Sequence, residues 1–302
     1  MLCRCAMLRP ASSSLQSALR RTQKSTPGNP RRKLAEFARS KPQLFIDKQA
    51  MKKQFSRLLC AATLLLSSTL AIAQSPDLQQ KAEAGDAQSQ FKLAAAYLTG
   101  RGAPKNDDEA ARWFTLAAKQ GHAESQANLG LMYGRGRGVP QSDEEAVKWY
   151  RLAAEQDDVD GLFNLAVMYD DGRGVAENQE EAVRLYRLAV AQNHVSSQSN
   201  LGYMYDHGRG VAQDSKEAFK WYMMAAEQGD ANSQFNVGSM YALGRGVEQS
   251  WPQAYFWALL AAKDGEKDSA KQQEIIAKKL KPAQRAKIQQ QVQAWKPRAS
   301  NS

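Results

Sequence analysis

A 36-residue period governs this chain. Tyr97, Tyr133, Tyr169, Tyr205 and Tyr241 lie 36 residues apart, as do Ala110, Ala146, Ala182, Ala218 and Ala254, with no insertion or deletion between them. The glycine pairs keep the same interval, from Gly100 and Gly102 through Gly136 and Gly138 to Gly244 and Gly246. Five copies fill residues 85–264, as 85–120, 121–156, 157–192, 193–228 and 229–264. A fixed period of about 20 to 50 residues marks a solenoid, in which a unit buries its apolar faces only against its neighbours.

One copy shows the physics. Gly121-His122-Ala123 breaks the preceding helix, and Ala127, Leu129/Gly130 and Met132/Tyr133 then recur at helical spacing. Gly134, Gly136 and Gly138 close that helix in a tight loop. Ser142 or Asp143 is placed to cap a second helix, with acidic residues in its first turn where the helix dipole favours them. Ala146, Trp149/Tyr150 and Ala153/Ala154 form its apolar face. Small residues recur at Ala94, Gly130, Ala166, Gly202 and Gly238, so the helices are expected to approach closely there. The large residues at the Tyr97 and Trp113 positions are expected to fill the space between pairs.

The formal charge of +10 is unevenly spread: residues 1–73 hold 14 Lys/Arg and 2 Asp/Glu, whereas residues 74–266 carry a net −9 and residues 267–302 a net +7. An acidic array argues against nucleic acid as a partner. All three cysteines precede residue 74, so neither disulfides nor thiolate chemistry belong to the repeats.

Met51 opens a second beginning. Lys52, Lys53 and Arg57 precede an apolar run, Leu58 to Leu70, and Ala71-Ile72-Ala73 offers a small-x-small cleavage site. This is the layout of a secretory signal peptide over 51–73, cleaved after Ala73, which implies a periplasmic or secreted protein with no stable membrane anchor. Residues 1–50 are read as a non-physiological or disordered extension before the true start at Met51. A transit peptide, also Arg- and Ser-rich, is the competing reading.

The pattern A-x-x-Q-x-N-L-G-x-M-Y-x-x-G-x-G-V followed by E-A-x-x-W-Y-x-x-A-A-x-x-G, carried most fully by residues 126–154 and 198–229, resembles the Sel1-like repeat, a relative of the tetratricopeptide repeat. The resemblance implies an all-α, right-handed superhelical α/α solenoid of five helix-turn-helix repeats. Capping helices are expected at 74–84 and 265–296, with a disordered tail at 297–302. The closing segment is similar to that of many exported bacterial proteins with these repeats.

No constellation points to catalysis. His122 and His194 occupy a helix-entry position held elsewhere by Asp86, Asp158 and Asp230, and His207 sits at a variable helix exit. The run Arg135 to Gly138 follows a helix rather than a strand, which argues against a phosphate loop. The pairs Asp157/Asp158 and Asp170/Asp171 read as solvated loop charge. No enzyme activity, cofactor or metal is expected. Some cysteine-rich relatives are linked to β-lactams, but this chain lacks their cysteines and any S-x-x-K motif.

Positions free to meet a ligand can vary between copies while packing positions stay constant. On the first helix such positions form one stripe: Glu124, Asn128, Leu131 and Arg135 in the second copy, Asn164 and Val167 in the third, Asn200, Tyr203 and His207 in the fourth, and Asn236 in the fifth. By resemblance to helical-repeat proteins this stripe lines a concave face. The Asn128, Asn164, Asn200, Asn236 ladder has two readings: amides that grip an extended peptide, or amides that bond the next repeat's backbone. The expected function is a scaffold binding a protein or peptide. The alternative is a cell-wall protein that binds or hydrolyses a peptidoglycan fragment or β-lactam.

Overall fold

The computed structural model describes residues 76–263 and 267–298, and these form helices α1 (Pro76–Glu83), α2 (Ala87–Thr99), α3 (Asp107–Lys119), α4 (Ala123–Arg135), α5 (Asp143–Ala154), α6 (Val159–Asp171), α7 (Gln179–Ala191), α8 (Val195–His207), α9 (Ser215–Glu227), α10 (Ala231–Leu243), α11 (Trp251–Ala262), α12 (Lys267–Ala277) and α13 (Pro282–Ala294). The expected extension and signal peptide, residues 1–73, lie outside the described residues. Among the described residues there is no strand, and no helix is long and apolar enough to cross a membrane. The chain is an all-α solenoid. Its described residues divide into two compact units, 76–189 and 190–298.

In the first unit, each repeat begins on a capped first helix. Asp86 and Asp158 accept the N3 backbone amide with a carboxylate, and His122 does so with its Nδ1 at 3.2 Å. An imidazole that accepts at Nδ1 carries its proton on Nε2, which faces Gln88 Oε1 at 3.1 Å. The helix-entry histidine is therefore a cap. Of the two residues expected to cap α5, Ser142 does so, accepting from the Glu145 amide.

The loop after α4 serves two repeats. Gly136 takes a left-handed φ of +60°, and the Arg137 amide bonds back to the Met132 carbonyl, stopping the helix. Gly138, with φ +65°, then lies on the start of α3 in the preceding repeat, where a Cβ would stand 2.0 Å from the Asp107 carbonyl oxygen. Beside it the Arg137 guanidinium donates to both Asp107 carboxylate oxygens at 2.8 and 3.1 Å. Gly174 and Arg173 repeat the junction on Asp143. These pairs are part-exposed, so each contributes about 1 kcal/mol or less.

A second staple, made from the first helix, crosses the junctions ahead of the first and second repeats. Gln90 Nε2 donates to the Ala82 carbonyl, and Gln126 Nε2 to that of Ala118, satisfying groups left open at a helix C-terminus. Their Oε1 atoms accept from Gln120 and Gln156. The core follows the expected positions only in part: Trp113 and Leu185 are buried, but Tyr97, Tyr133 and Tyr169 are only half-buried, and Phe114, Tyr150 and Tyr186 are buried beside them, Tyr150 lying over Gly130. A residue next to the repeat's tryptophan position faces inward because the first and second helices meet at Gly130.

The second unit repeats this plan with changes. Ser215 stands where Asp107 and Asp143 do, so Arg245 pairs instead with Asp206, a carboxylate only 1% exposed. The Tyr222 hydroxyl is buried nearby, and burial, then the Asp206 charge, pushes it well above the usual phenol range. At the end of the chain α12 and α13 pack on α11. Pro297 and Arg298, expected in a disordered tail, are held instead: the proline ring lies against Gly229 and the Arg298 amide donates to the Glu227 carbonyl at 2.8 Å.

Two outcomes test this account in unfolding measurements. Gly138→Ala should destabilise the chain by about 2 kcal/mol or more, through positive φ and backbone contact together. Gly85→Ala, with φ +99° but nothing within 4 Å of its Cβ, should cost distinctly less. The second concerns Asp158, whose carboxyl is held above its ordinary range by burial first, the Gly161 hydrogen bond opposing, and then by the Asp160 and Glu124 charges. A raised carboxyl leaves stability intact below the ordinary carboxylate range and removes it as pH climbs through the folded-state value. Asp158→Asn, which keeps the cap, should raise the thermal midpoint at pH 7 by roughly 1–3 °C. That gain should vanish as pH falls below the ordinary carboxylate range.

Candidate functional site

The first-helix stripe is part-exposed in the first unit, and its asparagines are buried in the second. On α4, Glu124 and Arg135 are exposed and Asn128 and Leu131 half-buried, while Ser125, Gln126, Leu129, Gly130 and Met132 face inward. Spacing of three and four residues thus puts the four candidates on one side, as helical periodicity demands. On α6 the corresponding Asn164 and Val167 are half-buried. Helix α4 packs directly against α6, which sets the Leu131 and Val167 rows side by side.

The asparagines do not behave as either reading expected. The Asn128 amide nitrogen donates to the Glu124 carbonyl at 2.7 Å, and that of Asn164 to the Asp160 carbonyl at 2.8 Å. Each bond stays inside its own helix, four residues back. Such a bond fixes the amide without joining repeats.

In the second unit Asn200 and Asn236 are both 7% exposed, so the ladder is not a continuous exposed row. Beside Asn200 the Ser199 and Ser233 hydroxyls meet at 2.7 Å. Helix α12 then packs on α10, with Gln272 Nε2 donating to Ser239 Oγ at 2.6 Å and facing the Phe235 carbonyl. Tyr203 and His207 remain half-buried and stack on each other at 4.1 Å, with the Arg209 guanidinium 6.0 Å from the Tyr203 ring. Tyr203 also packs against the core cluster of this unit, so it carries stability as well as surface.

The three histidines of the described residues all sit at helix ends. His122 and His194 cap helices, and His207 Nδ1 lies 3.0 Å from the Tyr203 carbonyl. Among the described residues no group of three His, Cys, Asp or Glu could hold a metal ion. The sequence reading missed the glutamine staples. Their signal was the recurrence of Gln90, Gln126, Gln198 and Gln234 at the repeat interval, broken only by Leu162.

Comparison with known proteins agrees with the fold. The Sel1 repeat model matches residues 87–122, 123–158, 159–194, 195–230 and 231–266, each beginning two residues later than the glycine-based division. The chain is similar to the crystal structure of a Sel1 repeat protein from Oxalobacter formigenes, at 29% identity and TM-score 0.61, covering 70% of this chain and 89% of the other. It is also similar to a protective antigen of uropathogenic Escherichia coli displaying an SLR fold, at 32% identity and TM-score 0.61. That match covers 74% of this chain and 53%, about half, of the antigen. No curated protein matches the chain. Sel1 repeat proteins are in general protein-interaction scaffolds. With five consecutive matches and the packing that accompanies them, the chain belongs to the Sel1 repeat family.

Proposed function

We propose that this protein is a non-catalytic scaffold of the bacterial periplasm or secreted space that binds a protein or peptide across its first helices, on their concave side. The observation that carries the reading is the pair of rows on α4 and α6. Leu131 and Val167 are apolar side chains left half-open between anchored amides, on two first helices that touch. A half-open apolar row between fixed polar groups suits an extended chain, whose side chains and backbone need both kinds of contact. Export rests on the signal-peptide layout of residues 51–73.

Photocrosslinking from positions 128 and 164 in living cells, read by mass spectrometry, tests the face. A discrete crosslinked protein is expected, and Leu131→Glu with Val167→Glu should reduce its yield about tenfold or more. The thermal midpoint should stay within roughly 3 °C of the parent, since both positions are half-open. A large fall in midpoint would show these residues to be core. Edman sequencing of the native protein should begin at Gln74, and a chain beginning at Met1 overturns the export reading. Hydrolysis of a chromogenic cephalosporin, or saturable muropeptide binding that survives both substitutions, would favour a cell-wall role.

A further inference from the structure

The large hydrophobic side chains that stand exposed among the described residues all share one register position. They are Leu116, Leu152, Leu188 and Met224, each between 38% and 41% exposed and each 36 residues from the next. Single exposed leucines need no explanation, but an exposed row at one position of every open repeat does. The row lies on the second helices, away from the first-helix stripe.

The fifth repeat shows what such a face accepts. Its counterpart, Leu260, is only 2% exposed and shares a buried cluster with Ile288 and Val292 of α13. Residues around Leu260 meet the same segment: Trp257 lies edge-on to Trp295, just past α13, at 6.4 Å, and Lys263, just past α11, reaches the Val292 carbonyl with its Nζ at 3.5 Å. Where α12 and α13 pack on α11, this register position is buried.

The residue one turn earlier tracks the covering. Where α13 lies on the face, that residue is Phe256, packed against the shared cluster. In the open repeats it is a cation: Arg112, Lys148, Arg184 and Lys220. Each cation pairs with a glutamate three residues before it, with side chains that are largely exposed, so the pairs are weak and can be exchanged. The helix that covers α11 is itself basic, carrying Arg285 and Lys287. A cation in place of Phe256 would oppose it.

We infer that the outer faces of α3, α5 and α7 form a docking surface for an amphipathic helix of a partner protein, with Leu116, Leu152 and Leu188 meeting its apolar stripe and Arg112, Lys148 and Arg184 meeting acidic residues beside that stripe. Helix-on-helix seating buries the leucines, and the cations select the sign of the partner's charge.

Fluorescence anisotropy with the full chain tests this. The probe is a labelled helical peptide of about 20 residues, leucine along one face and glutamate on its flanks, beside a counterpart with lysine for glutamate. The glutamate peptide should bind saturably and at least about tenfold more tightly than the lysine peptide. Joint replacement Leu116→Ser, Leu152→Ser and Leu188→Ser should weaken it about tenfold, and Arg112→Glu, Lys148→Glu and Arg184→Glu should reverse the preference. Circular dichroism should show both variants folded, the positions being exposed. Leu131→Glu should leave peptide binding unchanged, which separates this surface from the first-helix face. No binding of the glutamate peptide, equal affinity for both peptides, or indifference to the leucine replacements overturns the inference. So does binding to phosphatidylglycerol vesicles with the same residue dependence and no peptide binding, which would assign the face to a lipid surface.

Discussion

The structure depends on the junction where one repeat's loop lies on the preceding repeat's second helix. A helix pair of this size cannot enclose its own apolar side chains, so stability has to come from stacking. At Gly138 on Asp107 and Gly174 on Asp143 the backbones approach closely enough that no side chain fits between them. The arginine between the two glycines of the loop pairs with the first residue of the helix below, and at the first of these junctions the Gln126 staple joins the same two repeats from the other helix. Van der Waals contact at a backbone crossing sets the distance, and the polar bonds set the register. The curvature and surface of each unit follow from that spacing.

The same junction explains how function can vary while the fold does not. The constant positions of the repeat are consumed by stacking: small residues under Tyr150 and Tyr222, glycines in the loop, glutamines at the helix ends. What remains is the outward side of each helix. On the first helices of the first unit that side is an apolar row bordered by anchored amides, and on the second helices it is a leucine row bordered by cations. Two faces of different chemistry can thus be carried on one scaffold without disturbing its core.

The second unit shows how a local substitution is absorbed. With Ser215 in place of an aspartate, the junction arginine finds a carboxylate at Asp206, a position that is glycine or an aliphatic residue in three other repeats. In the same unit the Ser199 and Ser233 hydroxyls bond to each other and the asparagine row is buried. The ladder of asparagines looked uniform as a sequence pattern because residue identity repeats every 36 positions. Its exposure did not repeat, because exposure depends on what packs beside each helix, as α12 does against α10.

The sequence by itself determined the helix pairs, their number, their caps and the loops between them, since these follow from local spacing, capping chemistry and glycine conformation. It also determined which four residues of α4 share a side, because helical periodicity leaves no choice. Only the tertiary structure decided which aromatic column became the core, which asparagines stayed open, and that Pro297 and Arg298 fold back onto the end of α9. Those outcomes turn on which helix packs against which and on the gap that two facing side chains leave, and residue spacing alone encodes neither.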